Sequence, residues 1–172
     1  MTEAMRGNGL KIMGMDITDS IEKGVGWMST GARLLAQPTL RIALALPFFR
    51  SGLTRWDGFL HLSPSAAYLF SNNFKLHIFG GEYAFPAPVV VAHLTGAAEI
   101  TLPILLVLGI ATRFTAFGLL LMTGIIQLVV PDGWVNFHLY WAAIALAIIA
   151  IGPGPLSVDR VLFGKQLPSD RN

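Results

Sequence analysis

Three long apolar stretches occupy most of the second half of the sequence. They extend from Pro86 to Ile110, from Phe114 to Val130 and from Trp134 to Ile151. Each approaches or exceeds the ~20 residues that a helix needs to cross the hydrocarbon core of a bilayer, and each carries few ionisable groups. Turn-forming residues separate the last two at 131–133, and the Gly-Pro pairs at 152–155 end the third. The pattern predicts three transmembrane helices.

A fourth and weaker candidate span runs from Leu40 to Leu60 and is interrupted by three arginines. Lysine and arginine are enriched in cytoplasmic loops, so their positions near span ends indicate orientation. In chain order Leu40–Leu60 is the first of the four candidate spans. Lys23 and Arg33 precede it, Arg41 lies at its start, Arg113 lies between the second and third spans, and Arg160, Lys165 and Arg171 follow the fourth. The turn between the third and fourth stretches has none. Four spans with both termini in the cytoplasm satisfy this distribution, and three spans would break it.

The segment before the first span has apolar residues at helical spacing, at Ile17, Ile21, Val25, Met28, Ala32 and Leu35. Charged residues lie among them, and this periodicity predicts an amphipathic helix that begins near Thr18 or Asp19. Such a helix lies on the membrane surface or packs on the end of the bundle. The N-terminus has no apolar core of signal-peptide length, so we expect the chain to insert through its own spans.

The segment from His61 to Tyr83 is too long for a plain connection and contains aromatic stretches. We expect a short helix after Pro64, followed by an extended or re-entrant segment over the outer mouth of the bundle. The fold class is therefore all-α, an integral membrane four-helix bundle with an amphipathic N-terminal helix and a structured outer loop. Residues 1–38 form the N-terminal segment, 39–163 the membrane domain and 164–172 a cytoplasmic tail.

Composition supports this assignment. Hydrophobic residues make up 53% of the chain and charged residues 13%, and the mean hydropathy is +0.61, which is typical of a membrane protein. A net charge of +2 is too small to indicate a nucleic-acid partner. The chain has no cysteine, so a redox role would depend on a bound cofactor or on another protein.

Two oppositely charged residues fall near the middle of predicted spans, Arg50 in the first and Glu99 in the second. An ionisable side chain at that depth costs on the order of 2.5 to 3.5 kcal/mol by insertion scales unless it is paired or hydrated. We therefore expect these two to pair or to share a polar cavity. The pair would serve either as a proton or ligand site, or only to fix the register of the helices.

Further polar and aromatic side chains are predicted near the outer face: Arg55, Trp56, His93 and His138. At similar depth they are compatible with one outward-facing pocket. Two histidines on different helices can ligate haem, and His77 would extend the set to copper or zinc, but no helical histidine pair has metal-ligand spacing, so neither haem nor metal is predicted. The aromatic side chains Trp56, Trp134, Tyr140 and Trp141 either form an interfacial belt or line a quinone-ring site.

Several motifs together resemble the DoxX family of small four-span bacterial membrane proteins, across roughly residues 40–163. They are Arg41 at the start of the first span, the Gly-x-x-basic ending from Gly52 to Arg55, the stretch AEITLPILLVLGIATRFTA with Glu99, Gly109 and Arg113, and the tail GPGPLSVDR with Gly152, Ser157 and Asp159. The family usually has lysine where Arg55 stands, which preserves charge but not geometry. The outer segment and the N-terminal helix extend beyond the minimal family pattern.

The resemblance implies a location in the bacterial cytoplasmic membrane and a link with quinone-dependent electron transfer. The expected function is to bind a quinone or another small apolar ligand and to serve a partner redox or metal-handling protein. A homo-oligomer is also compatible with the resemblance. Glu99 would exchange protons with Arg50 as its counter-ion, and His93, Arg55, His138, Arg41 and Trp56 would contact the ligand. The alternatives are a membrane anchor or assembly factor whose charge cluster is purely structural, and a small transporter with Glu99 as coupling carboxylate.

Overall fold

The computed structural model describes residues 2–164, with side chains for 19–32 and 34–164. Six α-helices and one hairpin follow one another: α1 Thr2–Leu53, α2 Pro64–Tyr68, β1 Lys75–Ile78, β2 Gly81–Ala84, α3 Pro88–Leu108, α4 Thr112–Val129, α5 Leu139–Ile151 and α6 Val158–Phe163. A π-helical turn, Leu69–Asn73, continues α2. A 3₁₀ turn, Pro131–Gly133, and a π-helical turn, Trp134–His138, lead into α5. The predicted tail, 164–172, lies almost wholly outside the described residues.

Of the described residues, 2–36 form one unit and 37–164 another. In the first unit the helix already begins at Thr2, so the predicted start near Thr18 or Asp19 is wrong. Apolar and polar residues from 19 to 30 are all exposed, and the described part of this unit therefore has no buried apolar face.

The second unit is organised around an apolar core to which four helices contribute. Its buried members are Leu44, Ala45 and Phe48 from α1, Leu106 from α3, Ala116 and Leu119 from α4, and Ala145 and Ile148 from α5. Separations of three or four residues, from Leu44 to Phe48 in α1, from Ala116 to Leu119 in α4 and from Ala145 to Ile148 in α5, place these members on one face of each helix. A second cluster joins the outer segment to α3 through Leu62, Ala66, Phe70 and Ala92. The outer segment is thus packed onto the helices.

Three of the predicted spans are confirmed as helices long and apolar enough to cross a membrane: Pro88–Leu108, Thr112–Val129 and Pro131–Ile151. The first prediction, to Leu60, was too long because α1 ends at Leu53. From there the chain turns, and Trp56 forms an isolated bridge with Leu62. Two arginines, at 41 and 50, interrupt the apolar sequence of this part of α1.

The outer segment has the predicted short helix. Ser63 caps α2 by accepting a hydrogen bond from the backbone N–H of Ala66 at 3.2 Å, and Pro64 occupies the first turn. The extended part is a hairpin, with β1 and β2 antiparallel and Lys75 opposite Ala84. Its two turn residues, Phe79 and Gly80, both have positive φ, as a tight two-residue hairpin turn requires. The predicted all-α fold class therefore omits this two-stranded hairpin.

The other end of the bundle is held by what we term the Asp159 cluster: Arg41, Gly109, Thr112, Leu156 and Asp159. The Asp159 carboxylate accepts hydrogen bonds from the backbone N–H groups of Ala111 and Thr112 at 2.7 and 2.8 Å, and from the Thr112 hydroxyl at 2.7 Å. It thus satisfies free donors at the start of α4 and complements the helix dipole.

Arg41 closes the same cluster from α1. Its guanidinium donates to the carbonyl of Leu156, and its side chain is buried. Gly109 lies against it with φ of +73°, and a Cβ at this position would overlap Arg41 and Ser157. Glycine is therefore required here both by conformation and by space.

Replacement of Asp159 by Asn should destabilise the protein, because the new amide group would face hydrogen-bond donors. We expect the free energy of unfolding to fall by about 1–2 kcal/mol, the range for loss of a charged helix cap. Thermal unfolding in detergent, followed by circular dichroism, measures it. Asp132→Asn, in the exposed turn before α5, is the matched control. Equal midpoints for the two variants would contradict the assigned role.

Candidate functional site

A buried ion pair joins the end of α1 to the middle of α3. Close packing of two glycines makes it possible: a Cβ on Gly52 would lie 2.9 Å from the backbone carbonyl carbon of Glu99, and one on Gly96 would lie 3.1 Å from Cβ of Arg55. Small residues let helix backbones approach within reach of short polar contacts. The turn after α1 therefore brings Arg55 directly beside Glu99.

The pair has two nitrogen–oxygen contacts and one hydroxyl partner. Arg55 Nε donates to Glu99 Oε2 at 3.0 Å, and Nη2 donates to Oε1 at 3.4 Å. Ser51, one turn before Arg55, donates from its hydroxyl to Glu99 Oε1 at 3.1 Å. Glu99 is 2% exposed and Arg55 is 13% exposed. Contact through two nitrogens fixes the orientation of the guanidinium, which an ammonium group would leave free.

Aromatic rings from the outer segment cover this cation. The Arg55 guanidinium carbon lies 5.2 Å from the ring centre of Phe70 and 5.8 Å from that of Phe74. Phe70 also contacts Phe85 with ring centres 5.8 Å apart. A guanidinium over a ring face is attracted by the ring quadrupole, so the outer segment stabilises Arg55 where it meets Glu99.

A cavity of about 350 Å³ opens beside the pair. Its polar lining comes from Ser51, Arg55, Thr95 and Glu99. The rest is apolar, with contributions that include Phe48, Phe70, Phe74, Phe85, Ile125, Val129 and Trp141. Mostly apolar walls with a few convergent polar groups are typical of small-molecule sites, and the volume falls within their usual range. We refer to this space as the Glu99 cavity.

The predicted pairing of Arg50 with Glu99 is wrong. Arg50 is exposed, and Arg55 is the ion partner of Glu99. Arg50 lies within α1, whereas Arg55 lies in the turn that follows it, where its N–H donates to the carbonyl of Gly52 at 3.1 Å. Counting along the spans predicted Arg50 at the depth of Glu99 and Arg55 nearer the outer face. The close approach of Gly52 to α3 instead brings Arg55 to Glu99.

His93 and Trp56 lie next to the site without lining the cavity. His93 Nδ1 is 2.8 Å from the carbonyl oxygen of Val89, and its ring meets Trp56 edge-on at 5.9 Å between centres. The Trp56 indole N–H is buried without a hydrogen-bond partner among the described residues. His138 is buried, its ring centre lies 5.2 Å from that of Trp141, and its Nδ1 lies 2.6 Å from Oε1 of Gln127. The three do not form one pocket with Glu99.

Arg41 was predicted as a ligand contact, and the structure places it instead in the Asp159 cluster, away from the Glu99 cavity. Of the four aromatic belt candidates, Trp141 lines the cavity. Trp134 and Tyr140 are exposed. Within the described part of the chain, no three histidine, aspartate or glutamate side chains are grouped as metal ligands would be.

The predicted site residues did not include Ser51 or the phenylalanines at 70, 74 and 85, which line the cavity. Ser51 stands four residues before Arg55 and both contact Glu99, but Arg55 lies in the turn after α1, so helical spacing does not predict this arrangement. Phe70 and Phe74 belong to the aromatic stretches of the outer segment, but their contacts with Arg55 depend on how that segment folds back. Phe85 follows the segment and contacts Phe70.

Substitution of Gly52 by Ala tests the close approach. The added methyl would meet the backbone of α3 at Glu99, so we expect a destabilisation of roughly 1–3 kcal/mol, as for other overpacked positions. Gly124→Ala in α4 is the control, because a Cβ there meets no atom within 4 Å, and helix propensity makes it neutral or stabilising. Thermal unfolding of both variants gives the answer. If both behave alike, tight packing at Gly52 is not required.

Comparison with known proteins gives a consistent assignment. A family model described as DoxX matches residues 36–132. An uncharacterised protein from Haemophilus influenzae is 27% identical over 152 residues, which cover 81% of this chain and 87% of that protein. No solved structure matches. Since the family model covers more than half of the sequence and three helices are long and apolar enough to cross a bilayer, the chain is a membrane protein that belongs to the DoxX family.

Proposed function

We propose that this protein binds a quinone, or an apolar molecule of similar size, in the Glu99 cavity and serves a partner redox protein. The observation that carries the proposal is the cavity itself, about 350 Å³ with aromatic and aliphatic walls and one polar wall. A quinone needs an apolar slot for its ring and hydrogen-bond donors for its carbonyl oxygens. The residues present fit that requirement.

Three side chains of the polar wall, Arg55, Ser51 and Glu99, have different proposed roles. Arg55 and Ser51 are hydrogen-bond donors that already point at Glu99, and a carbonyl oxygen entering the cavity would compete for the same donors. Glu99 is the side chain able to hold a proton at this position. Protonation of Glu99 would remove the negative charge that orients Arg55. Proton uptake by Glu99 is therefore coupled to release of the Arg55 guanidinium from the carboxylate. Arg55 therefore takes the counter-ion role assigned to Arg50 from the sequence.

A bound quinone would supply two-electron redox chemistry. The polypeptide has no cysteine, so it offers no thiol relay of its own, and the proposal assigns electron transfer to a partner protein. The roles of this chain are then to hold the ring, to orient a carbonyl oxygen and to manage a proton.

A membrane anchor or assembly factor is the second candidate, and one observation favours it. Both oxygens of the buried Glu99 carboxylate are already hydrogen-bonded within the chain. A satisfied buried pair can serve only to fix how α1 sits on α3. The two candidates differ in whether the cavity is occupied in the purified protein.

We also propose that α1 is a fourth span and that both termini lie on the cytoplasmic side of a bacterial inner membrane. Support comes from Leu44 and Phe48 of α1, which are buried in the same core as residues of α3, α4 and α5. The distribution of lysine and arginine agrees with this orientation.

Glu99→Gln tests ligand binding. The amide retains the size of the carboxylate but removes the charge that holds Arg55, so we expect quinone in the detergent-purified protein to fall about tenfold or more, the effect of losing one charged hydrogen bond. Organic extraction and chromatography quantify quinone per protein. Asp132→Asn removes one carboxylate charge elsewhere and should leave the content unchanged.

Two results decide between the candidates. A helical, monodisperse Glu99→Gln protein that still contains as much quinone as the wild type would overturn the ligand role of Glu99. Quinone-free wild-type protein combined with a lowered melting temperature of Glu99→Gln would support the anchor reading.

Topology is testable because the chain has no cysteine, so each introduced cysteine is the sole thiol. A membrane-impermeant maleimide added to spheroplasts should label His61→Cys and Asp132→Cys. Gly24→Cys and Leu162→Cys should react only after permeabilisation. Labelling of Gly24→Cys on the same side as His61→Cys would show that α1 does not cross.

A further inference from the structure

One face of α1 remains uncovered within the described chain. Ile42, Leu46 and Leu53 are each more than half exposed, and Arg50 is exposed among them. Spacings of four, four and three residues place these side chains along one stripe of the helix. Beside the stripe lies an apolar groove of about 240 Å³ between α1 and α3, lined in part by Leu46, Phe49 and Ile104.

Arg50 lies at a depth where an uncompensated charge is unfavourable. Gly52, two residues further on, packs against Glu99 and Ile100, which are near the middle of α3. If α3 crosses the bilayer, a cation on the outer surface of α1 at this level faces hydrocarbon. In the part of the chain with described side chains, Arg50 has no acidic partner within ion-pair distance.

An exposed acid follows close by in the sequence. Asp57 comes four residues after the end of α1 and is exposed. Its neighbour Trp56 packs on Gly96, about 4.5 Å closer to the Pro88 end of α3 than Glu99, at ~1.5 Å per residue. A long and flexible arginine side chain can span such an offset. Glu99 itself cannot serve, because it is buried with Arg55.

We propose that the α1 stripe is the interface of a symmetric homodimer, in which Arg50 of each copy pairs with Asp57 of the other. A two-fold interface must be self-complementary, and a chain with an exposed cation at Arg50 and an exposed anion at Asp57 offers each copy the charge that the other needs. The exposed leucines and the groove would supply apolar packing between copies. The proposal depends on α1 crossing the membrane and not on quinone binding in the Glu99 cavity.

The absence of native cysteine gives a direct test. In wild-type background, Leu46→Cys should form an intermolecular disulfide when membranes are oxidised. Leu121→Cys in α4 and Leu146→Cys in α5 are matched controls, because those leucines are 55% and 56% exposed against 51% for Leu46, and they should crosslink weakly. Comparable crosslinking at all three positions would indicate random collision and overturn the proposal.

Charge reversal tests the pairing within that interface. Arg50→Asp or Asp57→Arg, each combined with Leu46→Cys, should reduce the crosslink about fivefold, since each places like charges together across the interface. The double reversal should restore it. Restoration is expected only if the two residues pair with each other, whereas a general loss of folding would persist in the double variant.

Mass measurement of the purified protein completes the test. We expect a dimer for the wild type and the double reversal, and a monomer for either single reversal with unchanged helical content. A monomeric wild type that retains its quinone would overturn the dimer and leave the proposed ligand site intact. A wild-type dimer that contains no quinone would support the dimer and contradict the proposed ligand site.

Discussion

The ion pair between Arg55 and Glu99 is the interaction on which the outer half of the molecule depends. Two opposite charges are buried together, and removal of one would leave the other uncompensated, which is far more costly than loss of an exposed pair. The pair forms only because Gly52 and Gly96 let the turn after α1 approach α3. It also anchors the outer segment, whose phenylalanines lie over Arg55.

The Asp159 cluster does the corresponding work at the opposite end of the bundle. Apolar contacts among α1, α3, α4 and α5 are not directional, and lipid offers similar contacts to the same side chains. Hydrogen bonds from the start of α4 to Asp159 and from Arg41 to the Leu156 carbonyl are directional. Two polar anchors therefore specify the arrangement of helices that an apolar core alone would leave open.

The sequence predicted the elements that local rules determine. Uninterrupted hydropathy gave α3 and α4 within a few residues, and Pro64 after Ser63 gave the start of α2. It did not predict which arginine meets Glu99. Counting residues gives the depth of a side chain along a helix, but the neighbour that the side chain faces depends on how the helices pack. Within α1 the helical period places Leu44, Phe48 and Ser51 on one face and Arg50 with Leu46 on another, and the turn that follows brings Arg55 to Glu99 beside Ser51.

The phenylalanines at 70, 74 and 85 show why the cavity itself was beyond prediction. Phe70 and Phe74 meet Arg55 because the outer segment folds back over α3, and Phe85 packs on Phe70. This arrangement is set by tertiary packing across many residues. Had the same rings filled the space beside Glu99, the ion pair would be dry and purely structural. Instead they wall a cavity that reaches both charges, so the contacts that hold the outer segment in place also leave open space beside the pair.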